Sequence, residues 1–115
     1  MKIPRATIWV GTCLLIGCGQ LGSSTLDIKN GSSSRLLAIE IHVGGKTIQA
    51  NPIESGKTES LGFDSISDSG LQMRYRLEGD ATITECQSDV YVTTGLRQHL
   101  VATIEADKSC RVEEK

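Results

Sequence analysis

The stretch that decides the fold is LQMRYRLEG, residues 71–79, in which apolar and polar side chains alternate without a break. One side of this extended chain is apolar and the other is polar: Leu71, Met73, Tyr75 and Leu77 oppose Gln72, Arg74 and Arg76. A period of two residues is typical of a strand that buries one face and exposes the other. The stretch therefore predicts a strand of a half-buried sheet, ended by Gly79-Asp80.

Segments with the same period lie on both sides of this strand and are separated by turn-forming residues. They cover residues 25–29, 35–43, 46–50, 56–63, 81–94 and 96–106. Gly44-Gly45 predicts a tight two-residue hairpin between two of them. No stretch with a helical period remains. The pattern predicts an all-β domain over residues 25–115, a small antiparallel β-sandwich of about seven strands, immunoglobulin-like or similar.

The alternation also predicts two local details of the strands. In residues 35–43 the alternation places Leu37, Ile39, Ile41 and Val43 on the inward face. Residues 81–94 are predicted to form a single strand with a bulge near Gln87-Ser88.

The amino terminus has a different composition from the rest of the chain. Two positive charges, Lys2 and Arg5, precede an uncharged apolar run over residues 6–17, which is the layout of a secretory signal peptide. The run falls short of the roughly 20 apolar residues that a membrane-spanning helix needs. It ends in Leu15-Ile16-Gly17-Cys18, which resembles the lipobox of bacterial lipoproteins.

The resemblance implies a defined processing route. The thiol of Cys18 would receive a diacylglyceryl group, the signal peptide 1–17 would be cleaved between Gly17 and Cys18, and the new amino group would be acylated, with palmitate among the acyl chains. Several acyl chains anchor a protein firmly, whereas one chain binds reversibly. Residues 18–24 would then be a lipidated cysteine and a short tether.

Gly19 stands where many lipoproteins kept in the inner membrane have an aspartate, so the resemblance favours the outer membrane, facing the periplasm. An alternative remains open at the same residues. Gly17-Cys18-Gly19 also fits a small-x-small site cleaved after Gly19, which would release a soluble secreted protein.

Removal of residues 1–17 would leave a mature chain of 98 residues, enough for one domain. Lys2 and Arg5 leave with the signal, so 10 basic and 14 acidic side chains remain and the formal charge is −4. This balance argues against nucleic acid as a partner and against strong attraction to anionic lipid headgroups. The lipid on Cys18, rather than charge, would hold the protein at the membrane.

If the chain is processed in this way, two of its four cysteines remain available to pair. Cys13 leaves with the signal and Cys18 carries lipid, so Cys86 and Cys110 remain as a pair. In an exported protein such a pair predicts a disulfide. Two thiols and two distant histidines show no metal-ligand spacing, and neither a metal nor another cofactor is predicted.

The chain shows no constellation typical of an enzyme. His42 and His99 each lie opposite an apolar row and are predicted to face solvent. There is no nucleophile elbow, no phosphate-binding glycine loop and no spare thiol. The stretch DSISDSG, residues 64–70, matches a calcium loop only faintly. We therefore predict no catalytic activity and identify no small-molecule substrate.

The surface of the domain is therefore the remaining candidate for its function. We predict a membrane-anchored lipoprotein whose non-enzymatic domain binds an envelope protein or assembly, with Arg74, Arg76 and Tyr91 as candidate contacts because arginine and tyrosine are enriched at interface hot spots. One alternative is an inhibitor or immunity protein directed against an exported hydrolase. Another is a small hydrolase.

Overall fold

The computed structural model describes residues 24–115, and every described element is a strand or a turn. The strands are β1 Ser24–Asn30, β2 Leu36–Val43, β3 Lys46–Ala50, β4 Thr58–Phe63, β5 Ser69–Gly70, β6 Gln72–Leu77, β7 Ile83–Glu85, β8 Gln87–Ser88, β9 Tyr91–Val92, β10 His99–Ile104 and β11 Cys110–Glu114. The all-β prediction is confirmed. Gly17, Cys18 and most of the predicted tether lie outside the described residues, whereas Ser24, predicted as the last tether residue, already belongs to β1.

The strands form three sheets. A five-stranded sheet has the order β4-β1-β10-β11-β8, a four-stranded sheet has the order β3-β2-β6-β7, and β5 pairs with β9. In the five-stranded sheet β1 runs parallel to β10 and β11 runs parallel to β8. This sheet is therefore mixed rather than purely antiparallel as predicted. β1 and β10 can run parallel because they are far apart in sequence, so no hairpin forces them to be antiparallel. Within residues 24–115 no helix is long and apolar enough to cross a membrane.

The two larger sheets share one apolar core. The five-stranded sheet contributes Leu26, Ile28, Leu100 and Ile104, and the four-stranded sheet contributes Ile39, Ile41, Met73 and Tyr75. Tyr75 is fully buried, and its hydroxyl donates a 2.9 Å hydrogen bond to the carbonyl of Lys108 in the turn between β10 and β11. All four residues predicted to face inward in 71–77 are buried, which confirms the prediction from that stretch.

A bulge in β2 changes which of its residues point inward. The register with β6 shifts between Leu37 and Glu40, and Ala38 has a positive φ of 53°. Ile39, Ile41 and Val43 are buried as predicted, but at the start of the strand Leu36 is buried and Leu37 is only half-buried. The prediction for Leu37 was wrong because the extra residue of the bulge reverses the alternation before it.

Replacing Ala38 with glycine is expected to stabilise the domain by about 1 kcal/mol, because glycine adopts a positive φ without the steric cost of a Cβ. Ala50→Gly in β3, where φ is not positive, is the matched control and should lower the stability. Urea unfolding of the two variants measures both changes. If both variants lost the same stability, the backbone strain at Ala38 would be refuted.

The chain crosses from one large sheet to the other at Cys86. β7 ends at Glu85 in the four-stranded sheet, and β8 begins at Gln87 in the five-stranded sheet. Cys86 N donates a 2.9 Å hydrogen bond to the carbonyl of Met73, and its sulfur is bonded to Cys110 at the start of β11, with the two Cα atoms 4.6 Å apart. The predicted disulfide is confirmed, and it links the two sheets.

The prediction of a single strand over residues 81–94 was wrong because the chain changes sheet within this segment. The segment forms β7, β8 and β9, which belong to three different sheets. The alternation of its side chains persists across the crossing, so periodicity alone gives no sign of the change of sheet.

Candidate functional site

A row of polar side chains crosses the outer face of the four-stranded sheet. Glu40 Oε1 lies 3.1 Å from His42 Nε2 and accepts a 3.2 Å hydrogen bond from Arg74 Nε. The other ring nitrogen of the histidine, Nδ1, lies 3.1 Å from Thr47 Oγ1. The sheet register produces this row, because His42 is directly opposite Thr47 on β3 and Glu40 is directly opposite Arg74 on β6.

Glu40 is the electrostatic centre of the row. The hydrogen bond from His42, together with the positive charge of Arg74, holds the pKa of the Glu40 carboxyl below its ordinary value. The side chains of Glu40, His42 and Arg74 are 31%, 39% and 47% exposed. The carboxylate therefore stays charged near neutral pH on a surface that water and a partner can both reach.

The same face contains a depression of about 600 Å³ beside this row. Its lining combines charged, amide and apolar side chains: Ala38, Glu40, Gln49, Ala50, Arg74 and Ile83. The bulge at Ala38 lies at one side, and Ile83, on the last strand of the sheet, is 51% exposed. The depression thus offers an apolar contact next to an ion pair.

The order hydroxyl, imidazole, carboxylate in Thr47, His42 and Glu40 is also the order of a hydrolytic triad. Such triads act where water is excluded, because a low dielectric strengthens the charges that develop during the reaction. Here the carboxylate and the imidazole are both about one-third exposed on an open strand face. The exposed Thr47 hydroxyl therefore lacks the low-dielectric surroundings in which such triads act.

A second histidine-carboxylate pair lies on the five-stranded sheet. Asp27 Oδ2 is 2.8 Å from His99 Nε2, and Asp27 Oδ1 accepts a 2.6 Å hydrogen bond from Ser60 Oγ. The hydrogen bond from Ser60 is the main reason why the pKa of Asp27 lies below its ordinary value, and the hydrogen bond and charge of His99 lower it further. Both predicted solvent-facing histidines are therefore partly exposed, at 39% for His42 and 49% for His99, and paired with carboxylates.

The pairing of Asp27 predicts an effect of pH on stability. A carboxyl whose pKa is lowered on folding contributes stability above its unfolded pKa, near 3.8, and that contribution is lost as the pH falls through the lower folded pKa. Asp27→Asn removes this titration. We therefore expect the stability difference between the parent and Asp27→Asn to shrink below about pH 4. Urea unfolding from pH 6 to pH 2 measures it, with the exposed Glu59→Gln as control; a difference constant with pH would contradict the prediction.

The structure places two of the three predicted contact residues on β6 and the third in another sheet. Arg74 belongs to the polar row, and Arg76 lies two residues further along β6, where its Nη1 donates a 3.2 Å hydrogen bond to the carbonyl of Asp80 in the following turn. Tyr91 is 59% exposed but belongs to β9, in a different sheet. The predicted site residues Gly17 and Cys18 lie outside the described residues, and Cys86 and Cys110 are bonded to each other.

Residues 24–115 contain no cluster of three or more histidine, cysteine or acidic side chains that could hold a metal ion. In the faint calcium match over residues 64–70, Asp68 Oδ1 accepts a 2.8 Å hydrogen bond from the backbone N–H of Thr94. That bond lowers the pKa of Asp68 and connects its loop to the turn before β10.

The polar row as a whole cannot be recognised in the sequence, although local sequence signals predict half of it. A two-residue hairpin at Gly44-Gly45 places His42 opposite Thr47. The pairing of Glu40 with Arg74 could not be found in this way. It depends on two strands that are distant in sequence and on the bulge that shifts their register.

Comparisons with known proteins give information about the fold but none about an activity. No protein-family model matches the chain, and no curated protein matches it. Among solved structures the chain is similar to one described as "NMR structure of the protein from Eubacterium rectale", with a TM-score of 0.59 and 13% sequence identity. The match covers 84% of this chain and 94% of that one. At this identity the likeness concerns the fold alone.

Proposed function

We propose that the chain is a bacterial lipoprotein, anchored by lipid on Cys18, whose domain binds a protein of the cell envelope and catalyses no reaction. The anchor would be in the outer membrane with the domain in the periplasm. Two observations support export and anchoring: the lipobox pattern Leu15-Ile16-Gly17-Cys18 in the sequence and the disulfide between Cys86 and Cys110. Disulfides persist in oxidising compartments such as the periplasm.

The proposal includes a β-sandwich as the displayed domain. The core common to the five-stranded and four-stranded sheets supports it, since two sheets facing each other bury their inner faces together. The outer faces are then left for binding, and it is on these that the two histidine-carboxylate pairs lie.

Ile83 is the residue on which the proposed binding mainly depends. It is 51% exposed, it belongs to the edge strand β7, and it lines the depression that contains the Arg74–Glu40 ion pair. An unpaired strand edge offers main-chain hydrogen bonds to a partner. An exposed apolar side chain next to an arginine is a typical centre of a protein contact. The partner would place an apolar side chain against Ile83 and a polar or acidic group near Arg74.

Photo-crosslinking in intact cells tests the proposal. A benzophenone amino acid at position 83 is expected to give one discrete adduct with an envelope protein, whereas the same group at the exposed Glu59 on β4 of the other sheet should give none. Arg74→Ala should weaken the adduct at position 83. Arg111→Ala, which removes a more exposed arginine from β11, should leave it unchanged.

Equal adducts at positions 83 and 59, or none at either, would contradict binding at this face. The identity of the captured protein decides its meaning. A structural envelope protein supports a role in an assembly, and an exported hydrolase supports the inhibitor alternative.

A further inference from the structure

Exposed apolar side chains gather at the end of the domain where the described chain begins. Residues 24–115 have four large apolar side chains that are strongly exposed. Ile83 is the one on edge strand β7. The other three, Ile66 at 67%, Tyr91 at 59% and Leu96 at 55%, lie near the start of β1 and form what we name the amino-terminal patch.

Hydrogen bonds fix these three residues to that end. Ser24, the first residue of β1, donates from its hydroxyl to the carbonyl of Leu96 over 3.2 Å. Ile66 comes three residues after Phe63, which pairs with Ser24, and its N–H donates to the carbonyl of Gly44 over 3.0 Å. The carbonyl of Tyr91 accepts a 3.1 Å hydrogen bond from Gln98 Nε2, one residue before β10.

The opposite end of the domain has a different surface. Arg35 there forms ion pairs with Glu54 at 3.4 Å and Glu78 at 2.8 Å. The turn between β10 and β11 at that end is polar, with Asp107 accepting hydrogen bonds from Ser109. The two ends are separated by the length of β1, about 20 Å for seven residues. Three of the four strongly exposed large apolar side chains thus lie at the end opposite these ion pairs, which gives the domain a preferred orientation at an apolar boundary.

We propose that the amino-terminal patch rests on the lipid bilayer, with Ile66 and Leu96 in the boundary between headgroups and acyl chains and Tyr91 beside them. This inference depends on the proposed lipid at Cys18. Ser24 comes six positions after Cys18, so the chain allows a gap of at most about 20 Å between anchor and patch. Transfer of aliphatic side chains out of water is favourable, and tyrosine favours the interfacial layer of a bilayer.

The charges around the patch make the contact insensitive to lipid charge. This end carries the exposed cations Lys46, Arg97 and Lys115 together with the exposed acids Asp64, Asp68 and Glu114. Nearby charges of both signs largely cancel in their attraction to a charged surface. We therefore expect the bilayer contact to form with zwitterionic lipid as well as with anionic lipid.

The mature chain suits a fluorescence test. The sequence has one tryptophan, within residues 1–17, so residues 18–115 contain none. With the Cys86–Cys110 disulfide formed, Cys18 is the one free thiol in that chain. It can be coupled to a maleimide lipid in phosphatidylcholine vesicles whose acyl chains carry bromine, which quenches tryptophan at short range.

Single tryptophans are introduced as Ile66→Trp, Leu96→Trp and, as the control with matched exposure, Ile83→Trp. In tethered protein the tryptophans at positions 66 and 96 are expected to shift to shorter wavelength and to lose most of their fluorescence in brominated vesicles. The tryptophan at position 83 should do neither. The pattern should be the same when anionic phosphatidylglycerol is added.

Equal quenching at all three positions, or no quenching at positions 66 and 96, would overturn the proposal. So would a blue shift without vesicles that grows with protein concentration, because it would show that a second copy covers the patch. Chemical coupling supplies the anchor in this experiment. A negative result here therefore refutes membrane contact alone, whereas absence of lipid on the protein made in cells would refute the anchor.

Discussion

Loss of the Cys86–Cys110 disulfide is expected to lower the free energy of unfolding by about 3.5 kcal/mol, the chain-entropy value for a loop whose ends are 24 residues apart. The bond joins Cys86, hydrogen-bonded to β6 through Met73, to the first residue of β11 in the other sheet. A domain of this size has a total stability of about 5–10 kcal/mol. The melting temperature should therefore fall by about 15 °C or more.

Urea unfolding of the oxidised protein, the reduced protein and the Cys86→Ala/Cys110→Ala double variant measures this loss. The reduced protein and the double variant should agree, and Cys18→Ser should match the oxidised parent because Cys18 precedes the first described strand and takes no part in the disulfide. Equal unfolding midpoints with and without the disulfide would show that the shared core holds the two sheets together unaided.

Asn30→Asp is expected to cost about 3 kcal/mol at neutral pH, the sum expected when two hydrogen bonds in a buried site are lost. Asn30 is 1% exposed at the end of β1. Its Nδ2 donates to the carbonyls of Ser34 at 2.8 Å and Ile53 at 3.0 Å, while its Oδ1 accepts from the N–H and the hydroxyl of Ser32. A carboxylate keeps the two accepted bonds but places negative charge against two carbonyl oxygens.

The cost of this substitution should depend on pH. A buried carboxyl without a positive partner has a raised pKa, so its destabilising charge is neutralised as the pH falls through that value. We expect Asn30→Asp to regain stability relative to the parent between pH 7 and pH 4. Asn51→Asp, at an exposed site before Pro52, should change the stability by less than about 0.5 kcal/mol at either pH. Similar costs at the two positions would contradict the role given to Asn30.

Local signals in the sequence predicted much of the fold. The uninterrupted alternation in residues 71–77 predicted β6, and Gly44-Gly45 predicted the hairpin of β2 and β3, because both features depend on residues close in the chain. The disulfide followed from pairing the two cysteines left in the mature chain. The bulge at Ala38 could not be predicted, since alanine rarely adopts a positive φ and nothing nearby signals it.

The remaining features depend on contacts between distant segments. The parallel pairing of β1 with β10 and the crossing at Cys86 are set by which strands are neighbours in a sheet, and periodicity is the same in either arrangement. The same limit applies to the candidate site. Arg74 was singled out by residue type, but its partner Glu40 and the neighbouring Ile83 come from strands that only the folded chain brings together.

Anchoring through Cys18 is the claim on which compartment, orientation and partner all depend, and metabolic labelling tests it most directly. Cells that express the full chain are fed radioactive palmitate, and the protein is followed in membrane and soluble fractions. The parent should be labelled and membrane-bound, Cys13→Ser should behave like the parent, and Cys18→Ser should be unlabelled and soluble. Label retained by Cys18→Ser, or an unlabelled parent, would contradict the anchor.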